Sequence, residues 1–420
     1  MNIYIINNPF HYEIENLTRA FFNNEKMNVI KCDKNVNREK PFVAIELIKH
    51  EKDSDIIVSF ADEDFEKTLS KKIDGEFDSE YSECERMAAI MLFEILSEYT
   101  GIRLPWGILT GVRPIKLLHN LVRELGTDGA DKYFREKLLV TEQKTKLALT
   151  TEKNERKILE LSKPDSFSLY ISVPFCPTRC SYCSFVSQSI EKAKKLVEPY
   201  LDLLCQEIKY TAEIAKELNL RLETVYIGGG TPTTFSAEQL TKLITAINAS
   251  FDMKKCREFT IEAGRPDTIT REKLEAILDG GCDRISINPQ TLNDEVLEAI
   301  GRRHTATQTL EAYKLAEEIG FKHINMDLIT GLPKDTPETF KYTLDTLCDL
   351  SPASITVHTL AMKRSSFLTL GGALVKTGAE PPAAIMMKYC EEKLPQFGYH
   401  PYYLYRQSRM EGNLENVGWS

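Results

Sequence analysis

Apolar and polar positions change their pattern near residue 163. Before it, short apolar runs at Asn2–Ile6, Phe42–Leu47 and Asp55–Phe60 predict strands. Between Tyr81 and Tyr99, the residues Met87, Ile90, Met91, Phe93, Ile95 and Leu96 recur at helical spacing and predict one long helix. Thr110-Gly-Val-Arg-Pro114 reads as a turn into a further helix. The polar stretch Glu152–Asp165, ending in Lys-Pro-Asp, reads as a boundary. Residues 1–163 are therefore expected to form an N-terminal α+β domain, to which the residues themselves assign no role.

Residues 164–365 alternate regularly. Strands are predicted at Leu169–Val173, Thr224–Ile227, Glu258–Ile261, Arg284–Asn288, His323–Ile329 and Ile355–Leu360. Helices are predicted at Glu191–Leu218, Ala237–Asn248, Arg271–Leu278, Thr307–Ile319 and Thr336–Leu347. Such α/β alternation implies a parallel sheet with right-handed crossovers. The six β/α units fit a partial (β/α)6 barrel, with an open doubly wound sheet as the other arrangement. Residues 366–420 read as a helical and aromatic extension. It holds a helix at Pro382–Leu394 and then Tyr399-His-Pro-Tyr-Tyr-Leu-Tyr405, either an edge strand of core aromatics or a flat apolar wall.

Composition narrows the class. With 42% hydrophobic and 27% charged residues, the chain is that of a globular protein rather than a disordered one. The longest apolar run, Met87–Phe93, falls far short of the ~20 residues of a membrane span. The start, MNIYIINNPF, has neither a basic nor a secretory apolar region. A net charge of −9 argues against a general nucleic-acid binder, although a local basic patch can still hold anions. Of ten cysteines, Cys32, Cys84, Cys205, Cys256, Cys282, Cys348 and Cys390 are scattered and read as small buried apolar residues. Cys176, Cys180 and Cys183 are clustered. With no signal peptide, a reducing cytoplasm is the expected setting.

In parallel β/α folds, ligands gather at the carboxyl ends of the strands. The first strand runs into Pro174-Phe-Cys-Pro-Thr-Arg-Cys-Ser-Tyr-Cys183, and the second into Gly228-Gly-Gly-Thr-Pro-Thr233. The third ends at Glu262, the fourth at Asn288-Pro-Gln290, and the fifth carries Asp327 before Thr330-Gly-Leu-Pro333. The sixth runs into His358-Thr-Leu-Ala-Met-Lys363. The unusual polar and Gly-rich elements thus fall on one rim. Three cysteines at C-x3-C-x2-C offer three thiolates from one loop. Structural zinc wants four ligands, and no fourth Cys or His lies nearby. An iron–sulfur cube has four corners, so three thiolates leave one iron open. A loop containing Pro and Arg is a poor place for three merely buried cysteines.

The C-x3-C-x2-C motif after the first barrel strand, with Tyr182 before its last cysteine, resembles the radical S-adenosylmethionine (SAM) enzymes. Further motifs are Tyr170-Ile-Ser-Val-Pro-Phe-Cys176, Tyr226-Ile-Gly-Gly-Gly-Thr-Pro-Thr233, Arg284-Ile-Ser-Ile, Ile300-Gly-Arg-Arg-His304 and Asp327-Leu-Ile-Thr-Gly-Leu-Pro333. Occurring in this order over about residues 165–365, they resemble the oxygen-independent coproporphyrinogen III oxidase branch. The preceding domain, Thr110-Gly-Val-Arg-Pro114 and Asn413-Leu-Glu-Asn-Val417 are similar to its coproporphyrinogen dehydrogenase, HemZ-like subgroup.

The resemblance implies a [4Fe-4S] cluster on Cys176, Cys180 and Cys183, with SAM on the open iron. It implies a radical SAM oxidoreductase of porphyrin and haem biosynthesis, served by an electron donor such as flavodoxin or ferredoxin. SAM contacts are expected at Gly229, Gly230 and Thr231 (methionine group), Glu262 (ammonium) and Arg302 (carboxylate). They are also expected at Gln290 and Asp327 (ribose) and at the backbone of Ala361 (adenine). Tyr170 and Tyr182 are expected near the cluster and its SAM, Tyr170 being the one tentative catalytic residue. Taken singly, the same residues have ordinary readings. Gly228–Gly230 makes a tight turn, Glu262 a solvated strand end, Arg302-Arg303-His304 a helix-end charge run, Ala361 a packed small residue and Tyr170 a strand tyrosine.

A tetrapyrrole with four propionates needs cations, for which Arg179, Arg302, Arg303, Lys363, Arg364, Arg406 and Arg409 are candidates. The oxidases carry a further Cys two residues past the motif, where this chain has Ser184-Phe185. Related haem chaperones share that departure, so a haem-binding trafficking protein on the same scaffold is the alternative, with His400 as a candidate ligand. The extra N-terminal domain and the lack of a haem-ligand His motif oppose it. A radical SAM methyltransferase would want a second cysteine pair, and a purely structural cluster would leave the SAM positions idle. The family normally continues for some tens of residues past Ser420, so a shortened C-terminal substrate cover is expected.

Overall fold

The computed structural model describes residues 1–22, 25–33, 37–361, 381–407 and 410–420. The chain divides into two compact units. One is Met1–Lys153 with Leu404–Asn416 and the described part of Thr369–Ile385. The other is Asn154–Leu368 (described to Ala361), Met386–Tyr403 and Val417–Ser420. The first division falls after Lys153, within the polar stretch Glu152–Asp165, which is helical to Leu159. The C-terminal extension is shared between the units rather than standing apart.

The first unit is α+β. It begins with β1 (Asn2–Ile6), α1 (His11–Phe21), β2 (Asn28–Cys32), β3 (Phe42–Lys49), β4 (Asp53–Ala61) and β5 (Glu66–Asp74). Then follow α2 (Tyr81–Thr100), α3 (Pro114–Lys132) and α4 (Glu142–Leu159). The sheet order is β2-β1-β3-β4-β5, with β1 parallel to β2 and β3, and β3, β4 and β5 antiparallel. The apolar face of α2 buries Leu92, Phe93, Ile95 and Leu96. Its helix ends on Gly101, whose left-handed φ of 70° caps it without a Cβ penalty. Strands β2 and β5 have no continuous apolar run, since they lie at the two edges of the sheet and expose alternate residues.

A buried ionic group closes this unit. Trp106 Nε1 donates to Glu415 Oε2 at 2.6 Å and Lys144 Nζ to Glu415 Oε1 at 2.5 Å. The Arg406 guanidinium lies over the Trp106 ring at 5.4 Å and donates to the carbonyls of Leu109 and Asn413. Its backbone N–H donates to Val112 O at 2.8 Å. The Thr110–Pro114 and Asn413–Val417 motifs, distant in sequence, are thereby joined.

The second unit carries the alternation. Its elements begin β6 (Ser166–Val173), α5 (Val197–Glu217), β7 (Arg221–Gly229), α6 (Ala237–Ser250), β8 (Glu258–Glu262), α7 (Arg271–Asp279) and β9 (Arg284–Ser286). They continue α8 (Asp294–Ala299), α9 (Ala306–Ile319), β10 (His323–Thr330), α10 (Pro337–Leu350) and β11 (Ser354–Thr359). After α11 (Pro382–Lys393) come β12 (Pro401–Tyr405) and β13 (Asn416–Trp419). The sheet order is β12-β13-β11-β10-β9-β8-β7-β6, with β6 to β11 all parallel. Each crossover reaches the next strand in sequence, which is barrel winding, whereas a doubly wound sheet reverses at a switch point. Among the described residues β6 and β12 end the row without a further strand, so the barrel is partial.

Strand alternation separates two faces. Ile171, Val225, Ile227, Phe259, Ile261, Ile285, Ile324, Met326, Leu328, Ile355 and Val357 are buried on the outer face. Tyr170, Tyr226, Glu262, Ser286, Asp327 and His358 fall on the other, polar face. N-caps set the helix starts: Ser236 with Gln239, Thr305 with Gln308, and Thr336 with Thr339 form capping boxes. The expected long helix Glu191–Leu218 breaks into Ile190–Ala193, a 3-10 turn at Lys194–Leu196, and α5. The fourth strand ends at Ser286, before the expected Asn288, and regains one bridge at Gln290 with Leu328. Of the Tyr399–Tyr405 segment, Pro401–Tyr405 form the edge strand β12, and Tyr399 just before it donates to Pro352 O at 2.6 Å.

Candidate functional site

After β6 the chain enters the cysteine loop, closed by a two-residue parallel ladder of Phe175–Cys176 with Gln188–Ser189. The glycine turn after β7 packs on its start. Gly230 N donates to Val173 O at 2.8 Å, Thr231 N to Phe175 O at 2.7 Å, and Thr231 Oγ1 to Cys176 Sγ at 3.6 Å. A Cβ on Gly230 would stand 2.6 Å from Phe175 O and 3.0 Å from Cys176 Sγ. Gly229 has φ 106°, and its Cβ would meet Ser172 Oγ at 2.6 Å. Glycine is required here by close approach and by backbone conformation.

Two buried arginines face the middle of the loop. Arg265 Nη1 donates to Cys180 Sγ at 3.8 Å and to Thr178 O at 3.3 Å. Arg302 Nη1 donates to Asn288 O at 2.6 Å and Gly264 O at 3.3 Å, and its Nη2 to Tyr182 OH at 3.3 Å. Ser181 N donates to Ile300 O, and Thr178 Oγ1 to Gly301 O, so the loop is fixed at both flanks. Cys183 N donates to Cys180 O at 3.2 Å. Burial pushes the Cys183 thiol up, and the Cys180 and Cys176 sulfurs add to this. Among the described residues, no three His, Cys, Asp or Glu side chains group around a single metal ion. A four-iron cube takes each thiolate on a different iron, so its ligands stand apart.

The polar face holds a linked set of groups. Tyr170 is 57% exposed, and its ring stacks on Tyr226 at 5.9 Å with 12° between planes. Tyr226 OH donates to Glu262 Oε1 at 2.5 Å. Burial raises Glu262 to about 7; the Tyr226 bond and His358 oppose the rise, and Asp327 adds to it. Burial also works against the Asp327 charge. Even so, His358, Asn325 and Thr356 hold it below the usual carboxylate range. Asn325 Nδ2 donates to Asp327 Oδ1 at 2.7 Å, and His358 Nε2 lies 3.7 Å from Oδ2.

The structure thus gathers most expected residues at one end of the sheet: the three cysteines with Gly229, Gly230 and Thr231, Tyr182 with Arg302, and Tyr170 and Glu262 with Asp327. Gln290, in the left-handed region at φ 68°, is tied by its backbone to Asp327 O at 2.9 Å. Ala361 is half-buried, the last described residue after β11. Oδ1 of Asn288, Oε1 of Gln290 and Nε of Arg302 are buried without a hydrogen-bond partner. Buried polar atoms are normally satisfied. Asn288 and Arg302 meet beside Gly264, and these unpartnered atoms fit a polar ligand with donors, acceptors and a carboxylate, as SAM has.

The expected propionate cations are only partly available. Arg179 and Arg303 are exposed, and Arg303 pairs with Glu191 at 3.4 Å. Arg406 is a correction: it is 3% exposed and occupied by backbone carbonyls, so it cannot clamp a substrate acid. Lys363, Arg364 and Arg409 lie outside the described residues. His400 is exposed, and its backbone pairs with Ser420. Arg265, Tyr226 and His358 stand in the site without having been assigned roles from sequence.

Residues 170–347 match the radical SAM superfamily. The oxygen-independent coproporphyrinogen-III oxidase-like protein HemZ of Bacillus subtilis (strain 168) is 40% identical over 346 residues, 81% of this chain and 69% of its own length. The heme chaperone HemW of the same organism is 35% identical over 262 residues, 60% of this chain and 67% of its own. The oxygen-independent coproporphyrinogen III oxidase of Escherichia coli (strain K12) is 32% identical over 194 residues, 46% of this chain and 42% of its own. Radical SAM enzymes use a [4Fe-4S] cluster and SAM, and no helix among the described residues is long and apolar enough to cross a membrane. The chain belongs to the radical SAM superfamily, in the HemZ-like branch of oxygen-independent coproporphyrinogen-III oxidase-like proteins, and is a radical SAM oxidoreductase.

Proposed function

We propose that the chain decarboxylates two propionates of coproporphyrinogen III to vinyls, giving protoporphyrinogen IX without oxygen. The observation that carries this reading is the similarity to the HemZ protein over 81% of the chain, far beyond the residues of the superfamily match. When bound, the cluster and SAM supply an electron and a carbon radical that removes hydrogen.

Cys176, Cys180 and Cys183 would hold the cluster through three thiolates, and SAM would bind beside it. Gly229, Gly230 and Thr231 would flank its methionine group, and Arg302, whose Nη1 and Nη2 are already engaged, would meet its carboxylate through the unpartnered Nε. Glu262 would accept from its amino group, Gln290 and Asp327 would bind the ribose hydroxyls, and the Ala361 backbone would flank the adenine. Tyr182 backs Arg302, and exposed Tyr170 meets the substrate side. Each propionate would lose a β-hydrogen atom, CO2 and one electron to become a vinyl, the electron passing to a one-electron acceptor. A flavodoxin- or ferredoxin-like protein supplies the reducing electron.

A second reading, haem binding for delivery, is favoured by one feature. Phe185, 62% exposed, stands where the oxidases carry a cysteine, and the HemW chaperone is 35% identical. Anaerobic incubation with coproporphyrinogen III, SAM and a reductant separates the two. CO2 release with protoporphyrin formation supports decarboxylation. Stoichiometric haem binding without turnover supports the chaperone and ends the first reading.

A further inference from the structure

Arg265 lies in Ala263-Gly264-Arg265-Pro266, just past the end of β8, and is 3% exposed. Its guanidinium has five donors in a fixed plane. Nε and Nη2 take both oxygens of Asp267, at 3.1 and 3.2 Å. Nη2 also reaches Thr178 Oγ1 at 3.0 Å, and Nη1 reaches Thr178 O at 3.3 Å and Cys180 Sγ at 3.8 Å. One edge of the fork is therefore locked on a carboxylate and the other grips the cysteine loop. Arg302 also faces the Cys180 sulfur, but its Nη1 is spent on the carbonyls of Gly264 and Asn288 and no carboxylate among the described residues orients it.

We propose that Arg265 is a positioning residue of the cluster, donating an N–H to the Cys180 sulfur so that the bound cluster is easier to reduce. This rests on the assignment of Cys180 as a cluster ligand. A donor at a ligating sulfur stabilises the negative charge that reduction adds, and burial keeps water from screening it. Asp267 aims the guanidinium and cancels much of its charge. The hydrogen bond and the charge left uncancelled act together on the sulfur, so removing Arg265 lowers the potential and neutralising Asp267 raises it. Asp267 Oδ1 also stands 3.9 Å from His304 Nδ1, which burial, Arg302 and Arg265 push down to about 3, so that ring stays neutral and adds no charge.

The test is potentiometric. The full chain and its Arg265→Gln, Arg265→Lys and Asp267→Asn variants are reconstituted anaerobically without SAM. Iron content, midpoint potential and the EPR spectrum of the reduced cluster are then measured. The expected results are a more negative potential in Arg265→Gln, a more positive one in Asp267→Asn, and an intermediate value in Arg265→Lys, which keeps the charge without the planar fork. An Arg265→Gln variant with a full cluster and unchanged potential and spectrum overturns the proposal. If that variant holds no cluster, an unchanged potential in Asp267→Asn overturns it instead. Failure of the ligand assignment is read separately, as a Cys180→Ala variant that keeps a normal cluster.

Discussion

Tyr226 on β7 donates a 2.5 Å hydrogen bond to Glu262 on the neighbouring strand β8. The bond stabilises a carboxylate that burial would otherwise push higher still, and Asp327 nearby repels its charge. Two acids on one polar face are thereby set apart: Glu262 titrates at about 7, while Asp327 is held low by His358, Asn325 and Thr356.

That difference predicts a pH signature in the cluster-free protein. Glu262 is raised from 4.5 to about 7, so between these values the folded chain keeps a proton that the unfolded chain has released. Its contribution to stability is full below 4.5, falls as pH rises, and is gone above 7. Glu262→Gln is expected to lack this slope, and Tyr226→Phe to extend it above 7. Chemical unfolding across the window checks this; identical pH profiles for the native chain and Glu262→Gln refute it.

Gly230→Ala is expected to cost on the order of 1–3 kcal/mol by overpacking and to reduce iron loading. Its Cβ meets Phe175 O at 2.6 Å, Val173 O at 2.9 Å and Cys176 Sγ at 3.0 Å. Gly111→Ala, with nothing within 4 Å, is the control and should leave both unchanged. Urea titration and iron analysis of the two variants read the contrast.

Glu415 is fully buried between Lys144 and Trp106. Glu415→Leu or Lys144→Met alone is expected to destabilise by ~3–5 kcal/mol, because a lone buried charge remains. The double variant should recover much of the loss. A double-mutant cycle by thermal unfolding measures it, and simple additivity would count against the pairing.

Cys176→Ala, Cys180→Ala and Cys183→Ala are each expected to lose the cluster, while Cys205→Ala keeps about four irons per chain. Iron and sulfide analysis after anaerobic reconstitution decides between the three clustered thiols and the rest.

Much of this arrangement was legible in the chain. Alternating apolar positions such as Phe259 and Ile261, and Ile324 and Met326, marked the strands, because residues facing the helices must be apolar in a parallel sheet. The Gly- and Cys-rich elements then fell at their carboxyl ends. Arg265 was not legible. Its role depends on burial against a loop some eighty residues earlier, and a Gly-Arg-Pro turn has no period to reveal it. Tyr226 and His358 stood inside recognised segments, but which face of the strand each takes, and which partner it meets, follows from register. Arg406 misled because an arginine near the C-terminus reads as solvent-exposed. The Trp106 ring and the Leu109 carbonyl that help to bury it come from some three hundred residues earlier in the sequence.

The most direct measurement of the proposed activity uses coproporphyrinogen III deuterated at the propionate β-carbons, incubated anaerobically with the reconstituted protein, SAM and a reductant. The expected result is deuterium in the 5′-deoxyadenosine released, with CO2 and vinyl-bearing product formed in step. Haem bound stoichiometrically, with no deuterium transfer and no CO2 from an intact cluster, contradicts it.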